Sequence, residues 1–198
     1  KMTKKWEDLY SRTIEDLKSF KRPMVKLSSE DFLEMRDLWK EGLQKLKDPS
    51  FKEEQKEKTL AFLEKIFCLL DHSQKPSMLF DSLYEESFKI IQKPELIIYL
   101  LSVSRKHLIE KKFLEGNPIP KNFIKSLENL LEDYENINPE VIEWTLRTIE
   151  QLGNQSLKLR ETVLKIKPSW GSLFNQHKKA SKQIIELLEK RWAPFKRR

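Results

Sequence analysis

Apolar residues recur at every third or fourth position through most of this 198-residue chain, which is the spacing of one face of an α-helix. In the segment 28–47, for example, Phe32, Met35, Trp39 and Leu43 follow this spacing. No segment alternates apolar and polar residues over the length of a β-strand. Glycine, which tight sheet turns require, occurs only 4 times. The pattern predicts an all-α protein of about nine helices.

Capping residues and glycines predict where these helices begin and end. Ser28 and Ser50 each stand three positions before an acidic residue, as in a capping box. The run Asn-Pro-Glu at 138–140 combines a capping side chain, a proline suited to the first helical position and an acid near the positive end of the helix dipole. Gly116 and Gly153 follow predicted helices, and we expect them to end those helices.

A regular spacing of prolines suggests a repeat. Pro49, Pro94 and Pro139 are 45 residues apart, and each opens a predicted helix. This period lies within the range of HEAT and armadillo repeats. Residues 138–166 resemble one HEAT repeat, with Asn-Pro-Glu-Val at the start of its first helix and Leu-Gly-Asn between its helices. The resemblance implies a right-handed stack of antiparallel helix pairs, an α-solenoid. The alternative is an irregular helical bundle, which would show the same caps and apolar stripes.

The length of the chain is compatible with one domain or with two small ones that share an interface, and we expect a single α-helical domain that spans 1–198. Within that domain, the proline period predicts four approximate repeat units and a basic tail: 3–48, 49–93, 94–138, 139–183 and the tail at 190–198.

The net charge of +7 is concentrated at the two ends of the chain. Residues 1–26 and 178–198 each hold eight basic residues, against four and two acidic ones, so the part between them is slightly acidic. Such ends suit contact with phosphate groups, with an acidic protein surface or with an anionic membrane. The candidate contact residues near the C-terminus are Lys178, Lys179, Lys182, Lys190, Arg191, Trp192, Lys196, Arg197 and Arg198.

Two tryptophans are candidates for exposed aromatic residues. Trp144 is offset from the apolar stripe of its helix, and Trp170 follows Pro168 in a predicted loop. Trp192 has two interpretations: its ring stacks on a nucleic-acid base beside Arg191, or it anchors the last helix in the core.

The sequence contains no catalytic or metal-binding motif. The three histidines, His72, His107 and His177, have no second ligand at helical spacing, and we expect surface or capping positions for them. Cys68 is the only cysteine, which excludes an intramolecular disulfide, and its apolar neighbours predict that it is buried. Phosphate-binding, serine-hydrolase and metalloprotease motifs are absent. We therefore expect no catalytic residue, no cofactor and no metal.

These features favour a soluble, non-catalytic scaffold that binds a protein partner, because stacked helices offer a long concave surface. The alternative is a nucleic-acid-binding protein that uses its basic termini. HEAT-like folds include alkylpurine DNA glycosylases, which the chain resembles in general layout only. Association of the last helix with an anionic membrane surface is a third and weaker option. No small-molecule substrate is evident.

The expected location is the cytoplasm. No apolar run reaches the ~20 residues that a membrane-spanning helix requires. The chain begins with Lys1 rather than with methionine, so the sequence is also compatible with an export signal that has been removed.

Overall fold

A computed structural model describes residues 3–169, 171 and 174–195. Nine α-helices account for most of these residues, and none of the described residues belongs to a β-strand. The only strand-like contact among them is an isolated bridge between Val25 and Ser73. The prediction of an all-α protein is therefore confirmed, whereas the arrangement of the helices as a solenoid stays a prediction.

The contacts of the chain divide it into two compact units, the first ending at Glu115 and the second beginning at Gly116. The single domain over 1–198 and its four repeat units stay predictions. In the described part of the chain, no helix is both long and apolar enough to cross a membrane.

The first unit contains five helices. The fifth is continuous but changes its geometry twice, because a six-residue π-helical stretch, Arg105–Glu110, separates the α-helical stretches Pro94–Ser104 and Lys111–Leu114. Helix α2 packs on α3 and α4, α3 packs on α1 and α5, and α4 packs on α5. The helices are α1 (Lys4–Lys18), α2 (Ser29–Lys47), α3 (Glu53–Asp71), α4 (Tyr84–Ile90) and α5 (94–114).

The described residues of the second unit form four α-helices. A 3-10 stretch, Gly153–Leu159, joins the second of them to the third. Helix α9 packs along α7, α6 contacts α7 and α8, and α8 contacts α9. The helices are α6 (Lys121–Glu132), α7 (Pro139–Gln151), α8 (Arg160–Lys165) and α9 (Gln176–Trp192).

Several predicted helix boundaries are confirmed. The Ser28 hydroxyl accepts the N–H of Asp31 at 3.1 Å, and the Asp31 carboxylate accepts the N–H of Ser28 at 2.9 Å, which completes the capping box of α2. The Asn138 side chain accepts an N–H in the first turn of α7. Gly116 and Gly153 have φ angles of 69° and 61° after the ends of α5 and α7. This left-handed conformation favours glycine.

The predicted cap of α3 is wrong by two residues. The N–H and the hydroxyl of Ser50 both donate to Asp48, at 2.9 and 2.7 Å, so Ser50 belongs to the preceding turn. Lys52 is the residue before the helix, and its N–H donates to the Gln55 side chain at 2.9 Å. Sequence spacing alone did not distinguish the two sites, because Ser50 with Glu53 fits the same capping pattern.

The core of the first unit is built around Trp39, which is fully buried. Its ring lies 4.7 Å from that of Phe67, 5.5 Å from that of Phe80 and 5.6 Å from that of Tyr84, measured between ring centroids. Its indole N–H donates to the Ser87 hydroxyl at 2.9 Å, so the one polar atom of the ring is satisfied inside the core. These contacts join α2, α3 and α4.

Candidate functional site

Five of the basic residues predicted as contact sites lie on α9, and their environments differ. Three are exposed: Lys178, Lys179 and Lys190. Lys182 is half-buried. Four other predicted residues lie outside the described residues: Trp170, Lys196, Arg197 and Arg198.

Arg191 and Trp192 are held by the protein itself. The Arg191 guanidinium donates to the backbone oxygen of Glu150 at 2.6 Å and pairs with its carboxylate at 2.9 Å. The Trp192 ring is 1% exposed, and its N–H donates to the Ser156 hydroxyl at 3.0 Å. The stacking interpretation of Trp192 is therefore wrong, because the ring is not accessible to a base. The alternative, an anchor for the last helix, is confirmed.

The apolar face of α9 is also occupied. Ile184, Ile185 and Leu188 are buried in the core of the second unit. A membrane or partner that bound α9 through this face would first have to remove the helix from its own core.

Trp144 is half-buried, as expected from its offset position, and the Arg147 guanidinium lies 5.2 Å from the centre of its ring. Next to it, Glu143 is only 7% exposed. Its two carboxylate oxygens contact the Arg147 Nε and the His177 Nδ1, each at 2.9 Å. A buried carboxylate needs such partners, and here they fasten the first turn of α9 to α7.

His177 and Ser181 do not form a hydrogen-bonded pair. Ser181 lies one turn further along α9, but its hydroxyl forms no hydrogen bond with any described residue, the His177 ring included. A serine nucleophile requires its base within hydrogen-bond reach. The Glu143–His177 pair joins α7 to α9.

A cavity of about 440 Å³ lies in the second unit, between the start of α7, the segment after α8 and the start of α9. Apolar side chains form much of its wall: Ile137, Pro139, Ile142, Ile166 and Pro168. The volume lies within the range of pockets that bind organic ligands, about 300–1,000 Å³.

Polar and charged residues form the rest of the described lining, and they differ in their partners: Tyr134, Glu135, Lys167, Ser169, Lys178 and Ser181. Ser181 is 2% exposed, and its hydroxyl is buried without a hydrogen-bond partner among the described residues. Lys178 lines the cavity with an exposed side chain and has no ion pair in the part of the chain that the structure describes. Lys167 also lines it, but its ammonium pairs with Glu189 at 2.7 Å. Buried hydroxyl groups are nearly always paired, so the hydroxyl of Ser181 is an exception among the described residues.

The position predicted for His107 is wrong. The ring is fully buried, not at the surface, and it lies in the π-helical stretch of α5. Its Nδ1 contacts the N–H of Ser77 at 2.9 Å, and its Nε2 contacts the backbone oxygen of Leu70 at 2.8 Å. Burial lowers its pKa to about 4. Both ring nitrogens are engaged in holding the segment after α3, so the ring has a structural role.

Cys68 is fully buried, as predicted. Burial raises the pKa of its thiol to about 12, which keeps the sulfur protonated and unreactive at neutral pH.

His72 is the residue that ends α3, in agreement with the expected capping position, and burial lowers its pKa. Among the described residues, no three His, Cys, Asp or Glu side chains converge as a metal site requires.

Ser181 was not among the predicted site residues, although the sequence carries a weak signal for it. Ser181 stands three and four positions before Ile184 and Ile185, so it belongs to the apolar stripe of α9. A small polar residue in such a stripe usually bonds to its own helix. The cavity also depends on distant segments, including those of Ile142 and Ile166, and the sequence does not reveal that they meet Ser181.

No protein-family model, curated protein or solved structure matches this chain. The resemblance of residues 138–166 to a HEAT repeat stays a prediction.

Proposed function

We propose that this chain is a non-catalytic helical interaction module that holds a segment of a partner protein in the cavity of its second unit. One observation carries the proposal: Ser181, whose buried hydroxyl has no hydrogen-bond partner among the described residues, belongs to the lining of a cavity of about 440 Å³. A bound segment would supply the missing hydrogen bond, and its apolar side chain would fill the volume.

The lining of the cavity defines the chemistry of that segment. Ile142 and Ile166 favour a bulky apolar side chain. Lys178 favours an acidic residue close to it, since its charge is not neutralised by an ion pair in the described structure, whereas Glu135 in the same lining favours a basic residue or an N–H donor. The polar atoms of a peptide backbone suit Ser181 as either donor or acceptor. We infer an extended segment with a bulky apolar residue beside an acidic one.

The packing of the helices supports a repeat-like scaffold. In the first unit, α3 contacts both α1 and α5, and α2 contacts α4. In the second unit, α6 contacts α8 and α7 contacts α9. Contacts between each helix and the next but one occur in two-layered stacks of helix pairs, as in HEAT-like proteins. We propose that arrangement for this chain, with partner binding as its role.

Selection of peptides from a random displayed library tests the proposal. Immobilised full-length protein should enrich peptides with an apolar residue adjacent to an acidic one. Lys178→Ala should weaken binding of the selected peptide about three- to tenfold, since it removes one charged contact. Lys179→Ala is the matched control, because Lys179 is the neighbouring exposed lysine and does not line the cavity. No enrichment, or equal effects of the two substitutions, would contradict the proposal.

Ser181→Ala separates binding from stability. Removal of an unpaired buried hydroxyl should leave the free protein equally stable or up to about 1 kcal/mol more stable. The same substitution should weaken binding of the selected peptide, because the segment then loses its hydrogen-bond partner. A structural role for Ser181 predicts the reverse, a less stable protein.

Nucleic-acid binding is the second candidate function, and the exposed lysines of α9 favour it. Lys178, Lys179 and Lys190 are available to phosphate groups. Arg191 and Trp192 are not, since both are engaged inside the second unit. Fluorescence anisotropy of labelled single- and double-stranded DNA decides this point. Absence of binding at about 50 mM salt, where phosphate contacts are strong, excludes this function.

A further inference from the structure

The segment between α1 and α2 displays apolar side chains to solvent. We call residues 17–26 the Phe20 loop. Phe20 is 99% exposed, Met24 is 63% exposed and Leu17 is 37% exposed. Single exposed apolar residues are common on proteins, but a fully exposed phenylalanine with two apolar neighbours marks an interaction surface.

The backbone of α1 holds Phe20 in this position. The N–H of Lys21 donates to the backbone oxygen of Asp16 at 2.9 Å, and the N–H of Phe20 donates to that of Leu17 at 3.2 Å. These are the two bonds of a Schellman motif, which places its central residue in the left-handed conformation. Phe20 has a φ of 55°, where glycine is the favoured residue. The turn therefore presents an aromatic ring at a position where glycine would make the folded protein more stable.

The other end of the Phe20 loop is also fixed. Val25 is 2% exposed, its N–H donates to the backbone oxygen of His72 at 3.0 Å, and its own oxygen accepts the N–H of Gln74 at 3.1 Å. Pro23 is buried as well, whereas Met24 between them faces solvent. Both ends are thus tied to the first unit, and the apolar side chains between them are displayed by an ordered backbone.

Basic residues surround these apolar side chains. Four are exposed, and none of them forms an ion pair within the described part of the chain: Lys18, Lys21, Arg22 and Lys26. The nearest acids in the sequence are Glu15, which is exposed, and Asp16, which is half-buried. The surface of the Phe20 loop is therefore positive around an apolar tip.

We propose that the Phe20 loop binds an anionic lipid membrane, with Phe20 and Met24 in the interfacial region and the four basic residues at the headgroups. Aromatic and aliphatic side chains flanked by lysine and arginine are the composition of interfacial anchors. The Phe20 tip is displayed outward rather than enclosed in a groove, which suits insertion into a lipid surface more than capture of a peptide. This binding is independent of the cavity in the second unit.

Flotation of the full chain with lipid vesicles tests this proposal. Vesicles of phosphatidylcholine with about 30 mol % phosphatidylserine should carry the protein, and vesicles of phosphatidylcholine alone should carry much less. Phe20→Gly should lower partition about tenfold through loss of the apolar contact, and it suits the left-handed backbone, so the protein stays folded. Lys21→Ala should lower partition about fivefold, the effect of one basic residue near an anionic surface.

Phe174→Gly is the matched control, because Phe174 is likewise 99% exposed but lies in the second unit. It should leave partition unchanged. Equal effects of the two glycine substitutions, equal binding to neutral and anionic vesicles, or no binding at about 50 mM salt would overturn the proposal. Binding of acidic peptides through Phe20 without any vesicle binding would overturn it as well, and would assign the loop to a protein partner.

Discussion

The Nδ1 atom of His107 accepts a hydrogen bond from the backbone N–H of Ser77 at 2.9 Å. This nitrogen therefore carries no proton, and the proton of the neutral ring lies on Nε2, which donates to the backbone oxygen of Leu70 at 2.8 Å. The π-helical stretch of α5 also positions Lys106, whose ammonium donates to the backbone oxygens of Asp71 and Ser73 at 2.5 and 2.7 Å. Together His107 and Lys106 fix the segment that follows α3.

Because the His107 ring is buried, we expect the protein to be less stable in mild acid than at neutral pH. Burial lowers its pKa from 6.5 to about 4 in the folded chain, so between these values the unfolded chain binds a proton that the folded chain does not. Stability should therefore fall as the pH decreases, by about 2 kcal/mol between about pH 7 and about pH 5. Burial lowers the pKa of His72 too, which acts in the same direction. Urea denaturation at both pH values measures the change.

The variant His107→Gln provides the control for this pH dependence. Its free energy of unfolding should be lower at neutral pH, because the hydrogen bonds to Ser77 and Leu70 are disturbed, but it should depend less on pH over the same interval. An unchanged slope would assign the pH dependence to other groups.

Gly42 allows close contact between α2 and α3. A Cβ atom at this position would lie 2.8 Å from the Leu63 Cδ2, and Leu63 is fully buried. Gly42→Ala gains about 1 kcal/mol of helix propensity but forces the Leu63 side chain to move, at a cost of about 1–3 kcal/mol. We expect net destabilisation, measured by thermal unfolding. The double variant with Leu63→Val should recover part of the loss, and a more stable Gly42→Ala protein would contradict the packing described.

Ser156 provides the hydrogen-bond acceptor for the buried indole N–H of Trp192. Its hydroxyl accepts the indole N–H at 3.0 Å and itself donates to the backbone oxygen of Gly153 at 2.5 Å. Ser156→Ala leaves the N–H buried without a partner, and we expect a loss of about 1–3 kcal/mol in the free energy of unfolding. Ser156→Thr retains the hydroxyl as an acceptor for the indole N–H, so its free energy of unfolding should fall less than that of Ser156→Ala. Chemical denaturation measures both values, and an equal loss of unfolding free energy in the two variants would contradict this role of Ser156.

Phe20→Gly should stabilise the protein even though it removes a large side chain. The ring is 99% exposed, so few contacts are lost, and glycine relieves the left-handed strain at φ 55°. We expect a gain of about 0.5–1 kcal/mol in the free energy of unfolding. Phe20→Ala, which keeps the strain, is the control and should give little or no gain.

Local features of the fold were predictable because their causes lie close together in sequence. Ser28 and Asp31 belong to one capping box, Asn138 precedes a proline that begins a helix, and Gly153 follows the helix that it ends. In each case the interacting groups are within a few residues. The all-α class follows from these signals together with the helical spacing of apolar residues.

Features that depend on distant contacts were not predictable. His107 stands between Lys106 and Leu108, which gave no sign of burial, and only its contacts with Leu70 and Ser77 explain it. The sequence left two interpretations of Trp192, and its buried hydrogen bond to Ser156, 36 positions away, distinguishes them. The cavity of the second unit is a space between separate segments, and spacing along the chain does not encode it.

The most direct test of the proposed function is the amide NMR spectrum of the full chain during titration with a selected peptide. We predict that the largest shifts occur at residues of the cavity wall, such as Ile142, Ile166 and Ser181, and that Ser181→Ala reduces the affinity measured from these shifts. Shifts confined to residues outside the second unit, or a spectrum that no selected peptide changes, would contradict the assignment of this cavity as a partner-binding site.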